Sequence, residues 1–233
     1  MWSLSPEETQ ALLLSLKVAF CSVAASLPVA VALAWALSRC AFPGKSLLDA
    51  VVHLPLVLPP VVVGYFLLVL FGRRGAIGAW LDEVLGITFA FRWTGAALAC
   101  AVMGLPLLVR AVRQSLDAVD RGLESAAATL GASPAWVFAT VTLPLILPGI
   151  LTGMLLAFAR SLGEFGATIT FVSNIPGETQ TLPLAIYAFT QVPGGDAQAM
   201  RLCILSIALS LAALMASELL LRRASARAAG LDA

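Results

Sequence analysis

The sequence predicts an all-α, polytopic membrane protein with about five transmembrane helices in one domain, 1–233. Three observations predict it. The 233 residues are 60% hydrophobic and only 12% charged, about half the charge of a soluble domain, and mean hydropathy is +0.96. Five apolar runs reach the roughly 20 residues that a membrane-spanning helix needs. Polar, Gly- or Pro-containing stretches separate them.

The first run, Ala11 to Leu37, is interrupted only by Lys17, whose stem can carry its ammonium to the interface. Arg39, Pro43, Gly44 and Lys45 form a short polar turn. The second run, Leu47 to Phe71, contains Pro55, Pro59, Pro60 and Gly64. Prolines remove backbone donors and kink a helix, and such a kink is either a hinge or a static bend. A mixed connection covers Arg73 to Arg92. The third run is Trp93 to Val109, followed by charged residues from Arg110 to Glu124 that belong in water. The fourth runs from Leu147 to Val172, and Asn174 to Gln180 is a polar loop. Thr181 to Gln191 is too short to span, and Pro193-Gly194-Gly195-Asp196 ends it. The last run is Met200 to Leu221.

Five spans put the two ends on opposite sides. Loops with Arg39, Lys45, Arg110, Arg113, Arg121, Arg222, Arg223 and Arg227 outweigh those with Arg73, Arg74, Arg92 and Arg201. Positive loop charge marks the cytoplasm, which places the N-terminus outside and the C-terminus inside. The first charges are Glu7 and Glu8, not a basic n-region, and the apolar run from Ala11 is too long for a signal core, so no signal peptide is expected.

The composition also excludes functions. A net charge of +1 offers no basic stripe for nucleic acid. Cys21, Cys40, Cys100 and Cys203 are scattered and read as small hydrophobes. His53, the single histidine, has only Asp49 one turn away and reads as an interfacial side chain, not a metal ligand. No H-E-x-x-H, G-x-S-x-G, intramembrane aspartate pair or P-loop is present, so no catalytic residue, metal or cofactor is expected. Uphill transport would need energy from another subunit.

The segment from Val119 to Ile150 is the most informative. Asp120 suits an N-cap for a short helix over Arg121 to Leu130, and Gly131 a left-handed C-terminal position. Ser133 and Pro134 open a second helix. Ala126, Ala127 and Ala128 leave the short helix nearly bare. Two readings stay open on physical grounds: a helix seated in a groove of another protein, or one lying at the lipid interface.

Arg160 and Glu164 are expensive in hydrocarbon and four residues apart, so they share a helix face and can pair. They either lock helices together or line the pathway. Gly163 and Gly166 flank Glu164 and permit close approach or bending.

Ser125-Ala126-Ala127, Gly131, Val141 and Leu143-Pro144 resemble the cytoplasmic signature of ABC importer permeases: E-A-A, three residues, Gly, nine residues, Ile, one residue, Leu-Pro. The family's Glu falls on Ser125, with Glu124 one residue earlier. R-C-A-F-P-G-K-S, the Pro-rich Leu54 to Gly64, G-E-F-G-A (Gly163 to Ala167, with Phe165 at its centre) and Asn174 to Pro183 look like molybdate importer permeases. Sulfate and tungstate permeases are close relatives.

The resemblance implies a type I ABC importer permease in a bacterial inner membrane. It implies a second copy of the chain, cytoplasmic ABC ATPase subunits and an extracytoplasmic molybdate-binding protein. The ATPase-coupling loop is expected at 116–146, with Glu124, Ser125, Ala126, Ala127, Gly131 and Pro144 as its contacts. Arg160, Gly163, Glu164, Phe165, Gly166, Pro59 and Pro60 are the pathway or gate candidates.

Overall fold

A computed structural model describes residues 4–229, all helical or loop. The side chains of Arg222, Arg223 and Arg227, part of the loop-charge argument, lie outside the described ones.

Helix α1, Pro6–Arg39, begins at a capping box: Ser5 Oγ accepts from Glu8 N, and Ser5 N donates to Glu8 Oε2. Its buried face is small, with Ala11, Ser15, Ala19, Ser22, Ser26, Ala30 and Ala34 at helical spacing. That stripe lets it pack closely along α5, Trp93–Ala118, which also lies along α8, Leu143–Leu162. A Cβ on Gly104 of α5 would come within 3.3 Å of Ala157 of α8. The core has two main halves. One gathers Val18, Val63, Leu67, Cys100, Met103 and Phe171; the other gathers Ala34, Leu37, Val52, Val109, Leu116 and Ile146.

Two predicted spans are broken: the kink expected at the prolines is a full break, and the fourth run, expected as one span, is two helices. Leu47 to Phe71 is two helices, α2 (Lys45–Val57) and α3 (Pro60–Phe71), bent by 114°. Pro59 and Pro60 remove consecutive donors, and a residue before proline avoids the helical region: Leu58 has ψ 143° and Pro59 ψ 132°. The pair packs on both halves of the core. Val52 of α2 packs in one half-core, Val63 and Leu67 of α3 in the other. Among the described residues, four single helices are long and apolar enough to cross a membrane, and counting the bent pair makes up to five spans.

Leu147 to Val172 is likewise not one helix. α8 ends at Leu162, and α9 covers Gly166–Val172. Arg160 and Glu164 therefore do not share a helix face, although they do pair. Glu164 turns its carboxylate onto the backbone, where Oε1 accepts from Ala167 N at 2.8 Å. A side chain that satisfies the next helix's first donors competes with helix continuation.

At its other end α8 runs back through a π-helical turn, Phe138–Thr142, into α7, Pro134–Val137. Leu143 N reaches Phe138 O. Pro144 cannot donate and its ring crowds the preceding turn, which the wider π turn accommodates.

Besides the short helix at Arg121–Thr129, three further helices complete the described residues. α4, Ala76–Leu85, lies inside the connection read only as mixed loop. α10, Leu182–Thr190, is the short apolar segment, tied to α1 by Leu182 N donating to Ser15 Oγ at 2.6 Å. α11, Asp196–Ala229, packs on α8 and α10.

Candidate functional sites: an exposed short helix and a junction of two broken spans

The helix α6, Arg121–Thr129, starts where predicted and ends one residue short, with Leu130 as its C-cap. Asp120 Oδ1 accepts from Gly122 N at 2.8 Å, and Gly131 has φ +87°. Ser133 Oγ accepts from Trp136 N. No residue of α6 is buried, and Ser125 and Ala126 are exposed. Ala127, Leu130, Gly131, Ala132, Ser133, Trp136 and Thr140 line an open groove of about 630 Å³, on which Leu130 is 89% exposed. Pro144 stands exposed on the next helix but outside this groove.

Glu124 does something different. It turns inward, where its Oε1 takes Arg39 Nη2 at 3.1 Å and Thr142 Oγ1 at 2.8 Å. One carboxylate thus joins α6 to the end of α1 and to the π turn. The shift of one residue, about 100° around a helix, takes it off the exposed face that carries Ser125 and Ala126. Sequence reasoning missed Arg39 and Thr142 as its partners. Nothing local marks them, because the contacts span 85 and 18 residues.

Gly131→Val would put a Cβ where no atom lies within 4 Å, so its cost is backbone strain alone, about 1–2 kcal/mol. If this helix couples the chain to an ATPase, as the sequence resemblance implies, ATP hydrolysis should persist in the variant while uptake falls. Gly131→Asn, which tolerates positive φ, should be milder. Unchanged uptake in the Val variant removes Gly131 from coupling.

The second site lies where the two broken spans meet. α3 crosses α9 at glycines. A Cβ on Gly64 would lie 2.5 Å from Ala167 O, and one on Gly166 2.8 Å from Pro60 Cβ. Pro60, Glu164 and Gly166 are thereby brought together, with Arg160 attached through Glu164. Arg160 Nη1 lies 2.6 Å from Glu164 Oε2, which makes no hydrogen bond in addition to this ion pair. Glu164 is 1% exposed, Arg160 29%. Arg160 therefore keeps an open side, while its carboxylate partner is sealed.

Phe165 packs against Tyr187 of α10 with ring centroids 5.3 Å apart, bordering an open groove of about 390 Å³. Gly163 and Pro59 are exposed, and no side chain approaches a Cβ placed on Gly163 within 4 Å. Gly64 was legible only as a residue of a Pro-rich stretch; that its missing side chain admits α9 needs the fold.

The polar loop after α9 is held by Thr179, fully buried, whose Oγ1 donates to Ser173 O and accepts from Ile175 N. Among the described residues, no group of three or more His, Cys, Asp or Glu is placed to hold a metal ion.

Comparison with known proteins places these features. The family described as binding-protein-dependent transport system inner membrane component matches residues 26–228. The molybdenum transport system permease protein ModB of Escherichia coli (strain K12) is 63% identical over 225 residues, 97% of this chain and 98% of that one. The sulfate transport system permease protein CysT of the same organism is 41% identical over 159 residues, 68% and 57% of the two chains. Among solved structures, a bacterial alginate ABC transporter in complex with an alginate pentasaccharide-bound periplasmic protein superposes with TM-score 0.74 at 16% identity, covering 94% of this chain and 80% of that one.

Proposed function

This chain belongs to the family of binding-protein-dependent transport system inner membrane components, and from that premise we propose that it forms the translocation path of a molybdate importer. The observation that carries the proposal is the 63% identity to a molybdenum permease across nearly both whole chains. The sulfate relative is more distant and matches a shorter stretch.

Two copies surround the path. The bare face of α6 and the groove beside Leu130 and Trp136 receive a cytoplasmic ABC ATPase. An extracytoplasmic binding protein delivers the oxyanion on the other side. ATP binding closes the ATPase pair and moves α6, and Glu124 passes that movement to α1 through Arg39 and to α8 through Thr142. The junction of α3 and α9 is the joint that opens, because both spans are already broken beside it and glycines bring the two helices together there. Each ligand shifts the equilibrium only by favouring one of the two states.

Labelled molybdate uptake by vesicles holding the full complex tests the cargo. Unlabelled molybdate should compete well and equal sulfate poorly, with tungstate measured beside them. Preferred uptake of sulfate would overturn the molybdate reading and leave the family standing.

The proposed orientation puts Pro6 outside and α6 inside, with three crossings between them if the bent pair spans. In a variant lacking the native cysteines, cysteines at Glu7 and Thr129, both exposed, should react with impermeant thiol reagents from opposite sides. Reaction of both from one side would mean that α2 and α3 together do not cross.

A further inference from the structure

We propose that α4 lies in the outer membrane–water interface, with the exposed stripe Ile77, Trp80 and Val84 in lipid and Arg73, Arg74 and Arg92 at headgroup phosphates. The inference rests on the orientation proposed above only for the word outer.

Its depth follows from landmarks. Arg39 and Lys17 are 22 residues apart on α1, about 33 Å of helix, close to the roughly 30 Å hydrocarbon core. Lys17 Nζ stands 3.6 Å from the centroid of the Trp93 ring at the start of α5. Trp and Lys at that height are what an interface selects. α4 is fastened at the same height from both sides. Before it, α3 ends at Phe71, and Gly78 sits directly on the backbone of Phe71 and Gly72. After it, Phe89 meets Phe71 edge-on at 5.9 Å, only four residues before Trp93.

The faces of α4 then sort by angle. At 100° per residue, Gly78 faces the protein. Ile77, Trp80 and Val84 form an exposed apolar stripe at i, i+3 and i+7, and Asp82 and Glu83 take the remaining side. Trp80 is 56% and Val84 60% exposed. α3, just before it in the chain, also exposes apolar side chains, at Phe66, Val69 and Leu70. Arg73, Arg74 and Arg92 are exposed, and none of them makes an ion pair among the described residues. An apolar stripe bounded by free guanidinium groups matches lipid: acyl chains for one, anionic phosphate for the other. With α4 held by the leaflet, the outer end of α3 is anchored and Pro59 becomes the free joint.

Single nitroxide labels at Ile77, Trp80, Val84, Asp82 and Glu83 test this, in the assembled transporter lacking its native cysteines and reconstituted into vesicles containing phosphatidylglycerol. Oxygen should relax the labels at 77, 80 and 84 more strongly than a water-soluble nickel complex does, and the order should reverse at 82 and 83. Access of nickel to all five would overturn the proposal and leave the stripe as a protein-docking face. Protection of 77, 80 and 84 from both agents would overturn it in favour of a second copy of the chain covering them. Reversed sidedness of Glu7 and Thr129 would leave this pattern intact, so failure of the orientation is distinguishable.

Discussion

Glu164→Gln is expected to cut sharply the amount of assembled transporter in the membrane, and adding Arg160→Met to restore it. Glutamine keeps a carbonyl that can still accept from Ala167 N, so the cap on α9 survives and the charge alone is lost. Arg160 is then a cation in the bundle without its anion, 2.6 Å from where that anion stood. Removing one partner of a buried pair costs about 3–5 kcal/mol. Because Arg160 keeps 29% exposure, the lower end applies.

The double variant removes both charges, so assembly recovers. Uptake per assembled complex should stay reduced, because the pair sits against the joint formed by Pro60 and Gly166. Assembly and uptake must be measured side by side. Full uptake in a well-assembled double variant would reduce the pair to a structural lock. Full assembly of Glu164→Gln alone would show that the ion pair does not hold the fold.

The second large effect is expected at Glu124. Glu124→Ala should leave ATP hydrolysis by the complex running while molybdate uptake collapses. The carboxylate makes two contacts, and Arg39, whose side chain is only 10% exposed, has no other anionic partner among the described residues. Hydrogen bonds to charged groups contribute about 1.5–3 kcal/mol, which corresponds to a drop of about tenfold or more in molybdate moved per ATP. Arg39→Met should show the same uncoupling, and the exchanged pair Arg39→Glu with Glu124→Arg should recover part of it. A Glu124→Ala transporter with the wild-type ratio of uptake to hydrolysis would show that α6 moves the bundle without this link.

Local signals in the sequence were read correctly. Asp120, Gly131, Ser133 and Pro134 each act within four residues, through caps and a positive φ, so their structure follows from their immediate neighbours. Hydropathy located the spans, because lipid demands about 20 apolar residues wherever a chain crosses. What hydropathy does not encode is continuity. Leu47 to Phe71 stays apolar through Pro59 and Pro60, and the run through Gly163 and Phe165 stays apolar around one carboxylate, so both breaks look like uninterrupted spans.

The prolines and the glycines around Glu164 announce bends in the sequence; that the two bends meet, with Gly64 on Ala167 and Gly166 on Pro60, needs the fold. The same holds for Glu124. Its one-residue offset from the family pattern is visible in the chain, but the inward turn to Arg39 depends on where α1 ends. α4 was missed because ten residues with Gly78, Asp82 and Glu83 carry too little apolar length to register as a span.

The central claim is that this chain conducts molybdate and draws its energy from a partner through α6. The most direct measurement is ATP-driven accumulation of labelled molybdate in vesicles, made with the chain plus its ABC ATPase and binding protein and then with each component omitted. Accumulation should require all three, and the chain alone should neither hydrolyse ATP nor accumulate the anion. Molybdate accumulation that persists without the ATPase would contradict the account.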